Sequence, residues 1–286
     1  MSFDAEAHRR ASLQGWEEAA SGWVRRQELL RELGAPVSHW MVQEISPQPG
    51  QRVLELAAGL GETGMLAAEL VAPMGGVIIS DQAEAMLEGA RARALQLGLS
   101  NIEFQVLGAE WIDLPLASVD AALCRWGYML MADPAAALAE TRRVLRPGGR
   151  LALAVWDRVE LNPWALLPAQ ELAERGIAQG EDAPGGAPPG PFALGHAERV
   201  AELLAGAGFA EVHVEALDLD RRHESFQELW DSTLDLSRRF HDAVLSRPQS
   251  EVHEIMASLA ERFAPYTSAQ GTLVVPGRTL VASASA

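Results

Sequence analysis

The chain has 286 residues, enough for one large domain or one domain with a cap, and 48% of them are hydrophobic, which is ample for a core. Its 39 acidic residues outweigh 23 basic ones, every one an arginine, and the resulting net charge of -16 disfavours nucleic acid and anionic membrane surfaces as partners. A single cysteine, Cys124, rules out an intramolecular disulfide, no apolar run reaches the roughly 20 residues of a membrane span, and no signal peptide is legible at the N-terminus, so the expected setting is the cytoplasm.

Taken in chain order, residues 3–48 read as helices, because Trp16, Ala20, Trp23, Gln27 and Leu30 recur every three to four positions. From Arg52 the pattern changes to short apolar runs at 52–57, 76–80, 102–107, 119–125 and 150–156, separated by helical stretches at 63–72, 83–98 and 134–146. That alternation predicts βα units and a mainly parallel sheet of the α/β class. Residues 157–195 are expected to be a mobile loop, on the strength of the Gly/Pro-rich passage at 176–192. A helix at 196–206 and a strand at 210–219 resume the alternation, 224–263 is helical again, and 271–283 reads as a final strand. The expected organisation is an N-terminal helical cap segment (1–48), a core (49–222), a helical cap insertion (223–269) and a closing core strand (270–286).

The chemistry concentrates in the segment Val53-Leu54-Glu55-Leu56-Ala57-Ala58-Gly59-Leu60-Gly61-Glu62-Thr63-Gly64, a glycine loop directly after the first strand. Glycines let the backbone turn sharply and approach a ligand with no side chain between. Gly59, Gly61 and Gly64 have dinucleotide-loop spacing, and Asp81 follows where a ribose-binding carboxylate belongs. Nicotinamide dinucleotides and S-adenosylmethionine (SAM) both fit to this point. Glu55 tips the balance toward SAM, since a carboxylate there faces a cationic methionine amino group well and a pyrophosphate badly. A third strand ending at Leu107-Gly108-Ala109-Glu110 offers polar groups to an adenine edge, and Arg143 to Leu151 contain the turn R-V-L-R-P-G-G-R-L.

With those motifs in order, the chain resembles the class I SAM-dependent methyltransferases, in the branch of the ubiquinone and menaquinone methyltransferases, from about Arg52 to Trp156. The resemblance implies a Rossmann-like, mainly parallel seven-stranded sheet flanked by helices, with a helical cap formed by the N-terminus and the C-terminal insertion. It implies SAM as cofactor, S-adenosylhomocysteine as product and a small-molecule substrate. By the same resemblance, Glu55, Ala57, Gly59 and Gly61 surround the methionine end, Asp81 holds the ribose hydroxyls, and Gln82 and Met86 lie beside ribose and adenine. Gly108 stands where relatives often carry Asp or Asn, so the adenine amino group is left to Ala109, Glu110 or solvent. Arg125 contributes its backbone carbonyl, and Trp23 joins the cofactor set.

For the acceptor pocket the expected residues are Trp126, Tyr128, Trp164 and Trp230, with His223 as the candidate general base. No Cys/His cluster points to a metal. Whether oxygen, nitrogen or carbon is methylated stays open at this level, as does a homodimer. Two other classes also stay open, a non-catalytic SAM-binding protein and an NAD(P)-dependent oxidoreductase.

Overall fold

The computed structural model describes residues 3–177 and 189–286. Two N-terminal helices, α1 (Ala5–Arg25) and α2 (Gln27–Ile45), break at Arg26 and lead into the sheet. The alternation then runs β1 (Arg52–Glu55), α3 (Glu62–Val71), β2 (Gly76–Asp81), α4 (Glu84–Leu97), β3 (Ile102–Val106), β4 (Val119–Arg125), α5 (Pro134–Val144) and β5 (Leu145–Trp156). After it come α6 (Pro163–Glu174), α7 (Ala197–Gly206), β6 (Ala210–His223), α8 (Phe226–Leu236), α9 (Arg238–Leu245), α10 (Gln249–Phe263) and β7 (Leu273–Ser285).

The seven strands form one sheet in the order β3-β2-β1-β4-β5-β7-β6. The first five are parallel, and β7 lies antiparallel between β5 and β6. Strand β6 therefore runs in the direction of the parallel set, and the C-terminal ends of β1 to β6 share one edge. The order reverses between β1 and β4, and the crevice above such a switch point is where open α/β sheets bind ligands. Central strands such as Val77-Ile78-Ile79 are buried on both faces, which is why they read as unbroken apolar runs rather than alternating ones.

Three expectations need correction. Within 157–195, the chain forms a 3-10 turn at Val159–Leu161 and the helix α6, started by Pro163 at its first position; residues 178–188 of the expected loop lie outside the described ones. Strand β5 begins at Leu145, five residues before the expected start at 150, because Leu145 pairs with Val119 and Gly148 donates its N–H to the Ala286 carbonyl at 2.9 Å. Strand β6 continues to His223, since β7 stays paired with it as far as Leu273.

The main core fills both faces of the sheet. A second cluster, Leu172, Leu229, Trp230, Phe240, Ile255 and Phe263 among its members, joins α6, α8, α9 and α10 over the outer end of β7. Helix α1 packs on α4 and on α8, so it bridges the sheet and this helical group.

Candidate active site

The glycine loop takes its shape from backbone positions that side chains resist. Ala57, Gly59 and Gly61 all have positive φ, at 48°, 55° and 77°. A Cβ on Gly59 would sit 3.4 Å from the Trp23 ring, so α1 closes directly over the loop. Glu55, expected at the cofactor's methionine end, is instead 1% exposed and off the cavity wall, accepting the Gly64 N–H at 2.9 Å under the first turn of α3. Gly61 is likewise behind the wall, against Ile79. Burial pushes the Glu55 carboxyl up to about 7, against the pull of the Arg125 guanidinium and the Gly64 N–H.

That shift fixes a sign. A carboxyl whose pKa rises on folding contributes stability that is present below its unfolded value of 4.5 and lost as pH rises through 7. Glu55→Gln keeps an acceptor for Gly64 and removes the charge. Its melting temperature is expected to match wild type near pH 4 and exceed it near pH 8, by a stability difference of up to about 3 kcal/mol; thermal denaturation across that range checks it.

Asp81 ends β2 at the mouth of the same loop, with one carboxylate oxygen accepting the Gly59 N–H at 2.9 Å and the other the Ala83 N–H at 3.0 Å. Desolvation raises its pKa, and these backbone donors oppose the rise. Asp81, Ala57, Gly59, Gln82 and Met86 all line one cavity of about 290 Å³, close to the lower end of small-molecule sites. Gly108, Ala109 and Glu110 form its far wall, where Gly108 leaves open space at the position of a Cβ.

Helix α1 forms the roof. His8, Ser12, Trp16 and Trp23 line the cavity from it. Glu17 accepts the Glu84 and Ala85 N–H groups at 2.8 and 3.1 Å, capping α4 from a different helix. Gln82 donates to Ser12 Oγ at 3.0 Å, and Glu110 pairs with Arg9 while accepting the Asp133 N–H at 2.8 Å. Glu110 is thus a latch for the roof as well as part of the wall. The sequence reading placed Trp23 here but missed His8, Arg9 and Ser12; extending the Trp16 to Trp23 stripe back by fours reaches Ser12 and His8.

The other end of the cavity lies past the switch point, at Arg125 and Trp126. Trp126 stacks flat on Trp156 at 4.4 Å, Trp156 meets Trp164 at 4.8 Å, and Trp126 Nε1–H donates to Thr279 Oγ1 at 3.0 Å. Of the expected acceptor residues only Trp126 is on the wall. Tyr128 is 1% exposed in the main core, its hydroxyl 2.7 Å from Thr141 Oγ1, because the turn at Tyr128–Leu130 points its ring down onto α5. Trp164 is one rung further along the stack, and Trp230 packs edge-on against Phe240 in the second core cluster. His223 is off the wall too, with both ring nitrogens buried and unpartnered, and burial drives its pKa down to about 4. Tyr128→Phe is expected to cost about 1 kcal/mol in a denaturant titration and to leave cofactor affinity unchanged.

The cavity offers polar groups suited to a nucleoside. Asp81 offers a carboxylate at the glycine loop, and Trp23 keeps its buried indole N–H without a partner beside it. Among the described residues no group of His, Cys, Asp and Glu is arranged to hold a metal, and no helix is long and apolar enough to cross a membrane.

Fold and cavity together define a Rossmann-like protein built around an adenosine-type ligand. Residues 47–179 match a family model described as a methyltransferase domain. The chain is 30% identical over 204 residues to nocamycin O-methyltransferase of Saccharothrix syringae, covering 69% of this chain and 73% of that one. It is 38% identical over 103 residues to the ubiquinone/menaquinone biosynthesis C-methyltransferase UbiE of Pseudomonas fluorescens, covering 36% and 40%. Among solved structures, the cyclase SpnF superposes with a TM-score of 0.55 at 16% identity, covering 94% of this chain and 95% of that one, a likeness of fold alone. The chain belongs to the class I SAM-dependent methyltransferases. The nicotinamide alternative falls with that assignment. Coverage of the relatives is partial: the chain spans about half, 48%, of an uncharacterised transposon protein from Streptomyces fradiae to which it is 34% identical.

Proposed function

We propose that this protein transfers the methyl group of SAM to a small organic acceptor bound between the glycine loop and Trp126. The observation that carries this reading is one continuous cavity with Asp81 and the glycine loop at one end and Arg125, Trp126, Leu130 and Met131 at the other. Asp81 is assigned to the ribose hydroxyls, Gly108 and Ala109 to the adenine edge, and Ala57 and Gly59 to the methionine end. SAM supplies an electrophilic methyl on a sulfonium. The chain's own residues align the nucleophile with it and keep water out, and such alignment is worth roughly 7–11 kcal/mol of barrier. The Trp126 face adds about 0.5–2 kcal/mol where it meets positive charge.

His8 is the one histidine on the cavity wall, and its Nε2 is engaged by the Leu130 carbonyl at 3.0 Å. We assign the protein to the cytoplasm, a reading supported by the lone buried Cys124, which forms no disulfide within the chain. The test is incubation with methyl-labelled SAM and a panel of phenols, organic acids, enols and amines, read by mass spectrometry of the acceptor. Label transfer to a panel member supports the reading, and tight SAM binding with no transfer to any of them overturns it in favour of a binding protein.

A further inference from the structure

The arginines of this chain are almost all paired. Among the described residues, only Arg125, Arg221 and the exposed Arg247 of the 23 arginines have a guanidinium that makes neither a hydrogen bond nor an ion pair. Arg125 and Arg221 are half-buried, and desolvation pushes the pKa of both down, Arg221 to about 10, which still leaves them cationic at neutral pH. A guanidinium drawn partly out of water without a contacting anion is destabilised, and an anion brought by a bound molecule relieves that cost.

Their placement is not scattered. Arg125 lies 4.8 Å over the Trp126 ring and Arg221 4.4 Å over the Trp164 ring, at the two ends of the Trp126-Trp156-Trp164 stack. Both belong to the C-terminal part of a strand pointing to the ligand edge of the sheet, β4 and β6. Arg125 is on the cavity wall. Gly34 of α2 makes room for it, since a Cβ there would lie 1.6 Å from an Arg125 guanidinium nitrogen. On its glycine-loop side, Glu55 and Glu62 already offset the charge of Arg125; on the side of the tryptophan stack nothing does.

Building on the methyltransferase reading, we propose that the acceptor is a planar organic anion, a carboxylate in the first instance, received by Arg125 at the cavity wall with Arg221 as a second positive station along the tryptophan stack. A guanidinium presents a planar fork of donors to a carboxylate and stacks on aromatic faces, and of the stacked indoles Trp126 reaches the cavity wall and borders the ring system, while Arg221 acts from behind Trp164 through its charge. An acceptor that arrives as an anion needs no side chain to deprotonate it. This agrees with a wall whose single histidine is engaged elsewhere.

The experiment titrates S-adenosylhomocysteine into the full chain, then 1-naphthoate or its neutral counterpart 1-naphthamide into the loaded complex, read by calorimetry and by quenching of tryptophan fluorescence. Wild type is expected to bind naphthoate at least about tenfold more tightly than naphthamide. Arg125→Met is expected to erase that preference, Arg221→Met to reduce it about threefold, and Arg125→Lys to restore part of it. Equal affinity for the two probes, binding of neither, or an unaltered preference in Arg125→Met would overturn the proposal. Arg125 could instead serve the cofactor's own carboxylate. Then Arg125→Met would lower the affinity for S-adenosylhomocysteine about tenfold relative to methylthioadenosine, which lacks the amino-acid tail, and that result also overturns an acceptor role. Failure of wild type to bind S-adenosylhomocysteine would strike the methyltransferase reading itself, separately from the naphthoate result.

Discussion

Asp81→Ala is expected to weaken binding of SAM and S-adenosylhomocysteine by at least about 100-fold. Each hydrogen bond from a ribose hydroxyl to an ionised carboxylate is worth about 1.5–3 kcal/mol, and the substitution removes the acceptor of both. It also strips the acceptor from the Gly59 and Ala83 N–H groups, at 2.9 and 3.0 Å from the carboxylate, so the glycine loop loses the strut that holds it against β2. The two effects separate experimentally. Asp81→Asn keeps an oxygen for one of these two N–H groups and turns an NH2 toward the other, so it should melt between wild type and Asp81→Ala while binding about tenfold more weakly than wild type. Calorimetric titration beside thermal denaturation of both variants checks this; an Asp81→Ala protein with unaltered affinity would remove the carboxylate from the site.

Gly64→Ala is expected to be among the most damaging small substitutions near the site. Its Cβ would meet Glu55 Oε2 at 2.5 Å and Ile79 Cγ1 at 3.0 Å, both in the packed interior where neither side chain can withdraw into solvent. Overpacking of this kind costs about 1–3 kcal/mol, and loss of the Gly64 to Glu55 hydrogen bond adds to it. The expected drop in melting temperature is roughly 4–10 °C for a chain of this size. Because the clash is with Glu55, the double variant Glu55→Ala/Gly64→Ala should be less destabilised than the sum of its singles, a coupling that a double-mutant cycle measures.

Most of the parallel sheet was legible in the sequence, because its strands are buried on both faces and stand out as apolar runs between helices. The glycine loop and Asp81 were legible for a different reason: positive φ and close backbone approach restrict the residue types, so the constraint is written locally. What the sequence hid was tertiary. Tyr128 follows Trp126 by two positions, yet a single 3-10 turn sends it into the core and leaves Trp126 on the wall. Trp230 has a helical apolar spacing that fits a pocket and a core equally well, and only the packing of α8 against α9 decides for the core. Helix α6 was lost to the Gly/Pro signal just downstream of it. The contacts by which α1 roofs the cavity, Glu17 on the α4 N-terminus and Arg9 on Glu110, join residues 67 and 101 positions apart, and no local pattern announces them.

The pairing pattern of the arginines adds a functional contrast to this picture. A chain of net charge -16 offers a repulsive far field to an anion, but that field is screened within about 8 Å at physiological ionic strength, whereas a desolvated guanidinium at contact is not. Local placement therefore decides what the cavity accepts, and the overall charge decides chiefly what stays off the outer surface.

The most direct test of the central claim is calorimetric titration of the purified protein with SAM, S-adenosylhomocysteine and NADH. Saturable one-to-one binding of both adenosyl-sulfur ligands, with no heat of binding from NADH, is the predicted result; binding of NADH, or of none of the three, would contradict it.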